Sequence, residues 1–290
     1  MNKCHQCPRQ CGVRPGYCRV PEEFVLARAG LHRWEEPVIS GERGSGTIFF
    51  SGCNLRCVFC QNHEVSSAAV GKAVTAARLE EICHELIAAG AHNINLVTPG
   101  HYAAQLAPLL AKWKLPVPVV WNTNSYEKCS TLQQLDGLVQ IYLPDLKYAD
   151  DRIAEKYSHA PDYFATATAA IDEMYRQVGS FVYDRAGMLS KGVLIRHLIL
   201  PGCVENSLRV IEYVSRRFSP GEVLFALMRQ YIPCGAVSES CCPELARTVS
   251  DEEYALVEEA LFASGIEDGF VQDGEAASEN FIPRFDTSGV

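Results

Sequence analysis

Residues 46–63 read GTIFFSGCNLRCVFCQNH, an apolar run that passes directly into three cysteines spaced C-x3-C-x2-C. The first part, GTIFFSG (46–52), has the length and apolar content of a buried strand. Immediately after it come Cys53, Cys57 and Cys60. Three thiolates can hold three irons of a cubane cluster and leave the fourth iron without a protein ligand, open to a substrate or cofactor. A structural zinc site asks for four closed ligands, which His63 could complete, but the x3/x2 spacing is tighter than that of the usual paired knuckles. A cysteine loop launched from a strand end and followed by a series of strands and helices favours the cluster.

Working outward, the chain alternates short apolar runs with amphipathic stretches: NINLV (93–97), VPVVW (117–121), VQIYL (139–143), VLIRHLIL (193–200) and VLFAL (223–227) join the first run as six candidate strands. This alternation predicts an α/β fold with a parallel sheet. Leu79, Ile82, Cys83, Leu86 and Ile87 recur at helical spacing. Ser250 and Glu253 form a capping-box pattern ahead of Tyr254, Val257 and Leu261, with Gly265 as a stop. The long segment 150–192 is expected to hold additional helices. Nearly every run ends in polar or turn residues: Cys53, Thr98 with Pro99 and Gly100, Asn122 with Asn124, Asp145 with Lys147, and Gln230. Polar groups from consecutive strand ends converge most readily at the C-terminal edge of a barrel. The expected architecture is therefore a partial (β/α)6 TIM-type barrel over 44–263, with a cysteine-rich N-terminal arm (1–43) and a short C-terminal extension (264–290).

Composition narrows the function. A 290-residue chain with 48% hydrophobic residues can bury a large core. Its formal charge of −9 argues against a protein built to grip phosphate backbones, so no nucleic-acid partner is expected. No apolar run reaches the roughly 18 to 20 residues of a membrane span, and the start MNKCHQCPRQC lacks a signal-peptide core. A cytoplasmic protein with no membrane partner is expected. In that setting the tight groupings among 13 cysteines point to metal ligands rather than disulfides.

The triplet, with Phe59 before its last cysteine, resembles the signature of the radical S-adenosylmethionine superfamily, and the resemblance extends over roughly residues 44–235. INLVTPGHY, WNTNSYE, YLPDLKYAD and RHLILPG resemble segments of pyruvate formate-lyase activating enzymes and related glycyl radical enzyme activases. The resemblance implies a 4Fe-4S cluster on Cys53, Cys57 and Cys60, with S-adenosylmethionine chelated to the free iron and reductively cleaved to a 5′-deoxyadenosyl radical. It also implies a reduced flavodoxin or ferredoxin-type electron donor. By the same resemblance Thr98, Pro99 and Gly100 receive the methionine amino group, although T-P-G-H replaces the family's usual two glycines and Glu. Asn122 and Asn124 suit ribose hydroxyls. Asp145 organises a cation near the cofactor, Lys147 faces the methionine carboxylate, and the backbone at Phe59 lies by the adenine; Asn62 keeps a family position. Arg196 and His197 must point to opposite faces of their strand. The resemblance selects Arg196 for the barrel interior, leaving His197 packed under a helix. Plainer roles stay open: Asp145 with Lys147 as a surface salt bridge, Asn122 and Asn124 as turn formers, Phe59 as core.

The N-terminal CHQCPRQCGVRPGYC places Cys4, Cys7, Cys11 and Cys18 within fifteen residues. Four thiolates suffice to close a zinc or iron–sulfur site, and spacing does not choose between them. A free arm is the alternative. Cys203, Cys234, Cys241 and Cys242 are more scattered: gathered near the barrel mouth they would make a third site, but buried single thiols are the commoner reading, and Cys83 and Cys129 read as packing. Three functions follow from these features: an oxidoreductase that installs a glycyl radical on a partner enzyme, a radical enzyme acting on a small molecule or peptide, or a non-catalytic iron–sulfur or zinc protein.

Overall fold

The structure is a computed structural model and describes residues 4–272 and 283–290. Its strands are β1 (Phe24–His32), β2 (Ser45–Phe50), β3 (Lys72–Val74), β4 (Ile94–Val97), β5 (Val119–Thr123), β6 (Ile141–Pro144), β7 (Val182–Tyr183), β8 (Leu189–Leu198), β9 (Leu224–Met228) and β10 (Gly269–Val271). Helices α1 (Pro37–Ser40), α2 (His63–Ser66), α3 (Ala76–Ala88), α4 (Ala103–Trp113), α5 (Cys129–Leu132), α6 (Asp151–Ser158), α7 (Tyr163–Val178), α8 (Val204–Arg217) and α9 (Asp251–Ala263) connect and cover them.

The six predicted apolar runs are β2, β4, β5, β6, β8 and β9, which lie side by side and parallel in that order. This is the expected partial (β/α)6 barrel, and it does not close. Beyond β9 the sheet gains β10 in parallel; beyond β2 it gains β1 and β3, both antiparallel to their neighbours.

Side-chain alternation along the strands builds the barrel interior in layers. Val120, Ile141, Leu143, Leu194, Leu224 and Ala226 form an apolar floor, closed from below by Ile39 of α1. Two residues further along the same faces stand Asn122, Asp145 and Arg196, so the interior turns polar at the C-terminal edge. The opposite faces pack outward on the helices. On α3, capped by the Thr75 side chain accepting from the Arg78 N–H, the buried Leu79, Ile82, Cys83 and Leu86 form the apolar stripe the sequence predicts. Each such aliphatic side chain contributes about 1.5–3 kcal/mol on burial. The Ser250–Glu253 capping box is present and starts α9, which buries Tyr254, Val257 and Leu261. Segment 150–192 holds α6 and α7.

Residues 24–32, placed with the N-terminal arm by the sequence, form a nine-residue strand of the sheet. The chain's last residues return to it: the Thr287 N–H donates to the Ala27 carbonyl and the Ala29 N–H to the Ser288 carbonyl, both at 3.0 Å. Phe285 meets Phe49 edge to face, with ring centroids 5.3 Å apart. Among the described residues, no helix is long and apolar enough to cross a membrane.

Candidate active site

β2 delivers the cysteine loop to the polar edge of the barrel. Gly52 makes the turn at φ +81°, where a side chain would also stand 2.3 Å from the Cys18 carbonyl oxygen, so glycine is required twice over. Cys53, Cys57 and Cys60 then line one cavity of about 200 Å³. Polar groups address two of the sulfurs: Asn124 Nδ2 lies 3.3 Å from Cys53 Sγ, and Ser158 Oγ donates to Cys57 Sγ at 2.9 Å. Burial and then the neighbouring thiols push Cys60 up to about 12, and burial raises Cys57 as well. Thiols so enclosed become thiolates only when a bound cation supplies the compensating charge. Beside them, Asn62 Oδ1 is buried with no hydrogen-bond partner, in the wall of the same cavity. Soft ligands and an orphaned polar atom around one space suit a cluster with a bound polar ligand. Among the described residues, no three His, Cys, Asp or Glu side chains are already set in a metal-holding arrangement.

The same cavity is lined by a buried ionic chain. Arg196 Nε donates to Asp145 Oδ1 at 2.9 Å, Nη1 to Glu35 Oε2 at 3.1 Å and Nη2 to Asn122 Oδ1 at 2.7 Å, while Lys147 Nζ donates to Asp145 Oδ2 at 2.6 Å. Side-chain exposures of 13% for Arg196, 15% for Asp145, 17% for Lys147 and 10% for Glu35 rule out a surface salt bridge. Burial alone would raise the Asp145 carboxyl; the Arg196 and Lys147 charges outweigh it and hold the group below its ordinary value. His197, on the other face of β8, shares hydrogen bonds with the Leu146 carbonyl (2.7 Å) and Ser207 Oγ of α8 (2.9 Å). Burial lowers it to about 4, so it stays neutral.

The remaining strand-end residues divide. Asn122, Asn124, Phe59, Asn62 and Thr98 line the cavity. Thr98 adopts φ +55° and donates its N–H to the Asn122 carbonyl at 2.9 Å. Pro99 and Gly100 stand behind it, off the cavity wall. A side chain at Gly100 would meet the buried Glu127 carboxylate at 3.0–3.2 Å, so packing by itself accounts for that glycine. The Phe59 ring is edge-on to Tyr157 and Tyr231, and its carbonyl accepts from the Cys234 thiol at 3.2 Å. Glu35 belongs to the site and was missed from sequence. It lies in the turn after β1, and its sequence signal is no more than a pair of acids before Pro37.

A family described as a 4Fe-4S single cluster domain matches residues 39–150, which include all three cysteines and the strand ends through Lys147. An uncharacterized protein of Methanocaldococcus jannaschii is 28% identical over 277 residues, covering 90% of this chain and 74% of the relative. Among solved structures, HydG, a maturase of the FeFe-hydrogenase, aligns with a TM-score of 0.51 at 13% identity over 76% of this chain and 49% of that one. That likeness speaks for the fold, and the chain spans about half the length of HydG. Methylornithine synthase aligns with a TM-score of 0.48 at 15% identity, over 76% of this chain and 68% of that one. Over residues 39–150 the chain is similar to 4Fe-4S single cluster domains, and its barrel shares the fold of HydG.

The cysteine-rich N-terminus packs on the back of the Cys53–Cys60 loop. Arg9 stacks over the Tyr17 ring at 4.2 Å and donates to the Asn54 carbonyl (2.9 Å), the Ser158 carbonyl (2.9 Å) and the His159 carbonyl. Tyr17 in turn donates its hydroxyl to the Leu55 carbonyl at 3.2 Å. Cys4, Cys7, Cys11 and Cys18 fall close enough that burial, joined by the other three thiols, pushes Cys7 up to about 11. Elsewhere Cys203 is buried at the start of α8, Cys234 stands in the cavity wall, and Cys241 and Cys242 have sulfurs 3.6 Å apart. Cys83 is buried on α3 and Cys129 opens α5.

Proposed function

We propose that the chain is a radical S-adenosylmethionine enzyme whose Cys53, Cys57 and Cys60 hold the 4Fe-4S cluster and whose strand-end polar residues bind S-adenosylmethionine beside it. The observation that carries this reading is the shared cavity: the three thiols and Asn122, Asn124, Asp145, Lys147 and Arg196 line one space. When bound, the cluster supplies one electron that breaks a carbon–sulfur bond of S-adenosylmethionine, giving methionine and a 5′-deoxyadenosyl radical that takes a hydrogen atom from a substrate.

The chain's own residues bind and shield. Asn122 and Asn124 offer amide donors and acceptors to ribose hydroxyls. Lys147, fixed on Asp145, faces the cavity as a cation for the methionine carboxylate. Arg196 holds Asp145 and Asn122 in place, and so acts on the ligand through them. Thr98 presents backbone polar groups at the position of the family's amino-group cradle. Phe59, Phe50, Leu198 and Met228 line the remaining wall and exclude water from a reactive intermediate. The electron comes from a reduced flavodoxin or ferredoxin-type donor. Cys4, Cys7, Cys11 and Cys18 hold a metal of their own, zinc or a second cluster. The hydrogen donor is either a backbone glycine of a partner enzyme, as in the activases, or a small molecule or peptide.

The test is direct. Full-length protein, reconstituted anaerobically, reduced and given S-adenosylmethionine, should release 5′-deoxyadenosine and methionine, and the Cys53→Ala, Cys57→Ala, Cys60→Ala triple variant should release neither. Equal product from the triple variant would overturn the assignment.

A further inference from the structure

A second cavity of about 440 Å³ opens on the unclosed side of the barrel, between the turn after β1 and the strands β9 and β10. Glu35, Gln61, Arg196, Met228 and Gln230 line both cavities, so the two spaces share a wall. The outer cavity is lined further by Trp34, Glu36 and Phe270.

The charges around that wall do not balance. Among the described residues around it, Glu35, Glu36 and Asp145 are set against Arg196, Lys147 and His32, and burial disfavours the charged form of His32. Arg196 is committed to Asp145, Glu35 and Asn122, and Lys147, fixed on Asp145, faces the first cavity. Glu36 is left over. It is 9% exposed, and its Oε2 is buried with no hydrogen-bond partner. A buried carboxylate oxygen without a donor is costly, and it persists where a ligand supplies what the protein does not. Burial, only partly offset by Arg196, lifts the group to about 7. The rest of the lining is mixed: Ala226, Met228 and Phe270 are apolar, Gln61, Gln230 and Gln272 are polar, and Trp34, 63% exposed, stands at the rim.

We propose that this outer cavity is the substrate site and that it selects an organic cation, an alkylammonium or guanidinium group held by Glu36 and Trp34. The inference rests on the radical reaction proposed above for its role, but not for its binding chemistry. The cation supplies the missing donor to Glu36 and evens the charge count. Its carbon chain runs along Met228 toward the wall shared with the first cavity. The same chemistry is offered by a free amine and by a lysine or arginine side chain of a peptide.

Calorimetric titration of the full-length protein, reconstituted with its cluster and S-adenosylmethionine, distinguishes these. The probes are n-pentylamine, 1-pentanol, a short peptide with one lysine, and the same peptide with that lysine acetylated. The cations should bind at least about tenfold more tightly than their neutral counterparts, the scale of a charged hydrogen bond. Glu36→Gln should abolish that preference. Trp34→Ala, at an exposed position, should weaken cation binding roughly two- to fivefold and keeps the test open if Glu36→Gln folds poorly. A tighter amine identifies a free small molecule, and a tighter lysine peptide identifies a peptidyl substrate. Equal binding of cation and neutral probe, binding of neither, or cation binding unchanged in both variants would overturn the proposal. Assaying 5′-deoxyadenosine without any probe reports separately on the radical reaction, whose failure would leave the titration result standing.

Discussion

Replacing Arg196 with Met would remove the cation that joins Asp145 to Glu35. Asp145 would keep Lys147 at 2.6 Å. Glu35 would keep only two long hydrogen bonds, from Asn95 and Asn122 at 3.3 Å each, and no cation. Its side chain is 10% exposed, so water replaces the lost cation only in part. Breaking a buried ion pair by removing one partner costs about 3–5 kcal/mol. At about 2–4 °C per kcal/mol for a domain of this size, the unfolding midpoint should fall by roughly 6–20 °C. The assay is thermal and urea unfolding of the cluster-free full-length chain under reducing conditions, followed by circular dichroism. Adding Glu35→Gln in the same molecule should recover part of the loss, because the stranded charge is gone, and a double-mutant cycle measures that coupling. A loss below about 1 kcal/mol, or additive single effects, would show that Arg196 and Glu35 do not share a buried ionic network.

Ser158→Ala should leave cluster content unchanged and shift its reduction potential to a more negative value, since hydrogen bonds to cluster sulfurs stabilise the reduced form; a dye-mediated redox titration reads the shift. Protein purified anaerobically should contain about eight irons per chain, or about four irons and one zinc, if the N-terminal cysteines bind a metal, and truncating residues 1–18 should remove the extra metal alone. Four irons with no zinc would refute that site. Lys147→Ala should weaken S-adenosylmethionine binding by roughly tenfold or more while leaving the cluster's visible absorption intact, as measured by calorimetry.

The barrel was legible because its six parallel strands are buried on both faces and read as unbroken apolar runs. Their ends were legible too, since Asn122, Asp145 and Arg196 continue the inward alternation one step beyond the apolar floor. β1 was not. It begins with FVLA but continues as RAGLH, with Arg28 half-exposed and Gly30 unfavourable to a strand, and its partner β3 is only three residues long. Glu35 was lost along with it. Pro99 and Gly100 illustrate the opposite limit, where motif position pointed to a ligand and local packing against Glu127 decides the residue. Asn124 and Ser158 reach the cluster sulfurs from 71 and 101 residues away in sequence, a distance no spacing rule spans.

Arg196 and His197 are adjacent on β8 and face opposite worlds, one an ionic wall and the other a neutral pocket under α8. Pairing between β6 and β8 is sparse there: the ladder runs through Ile141–Gly192 and Tyr142–Val193, and after Pro144, which has no N–H to give, it resumes only as the bridge Asp145–Arg196. Backbone bonds alone would police this registration weakly. A slip by one residue would thrust a guanidinium against Leu146 and Ser207 and leave Asp145 facing an uncharged ring. The two side chains therefore act as a two-sided key: during assembly of the barrel, only one seating of β8 turns without burying a stray charge.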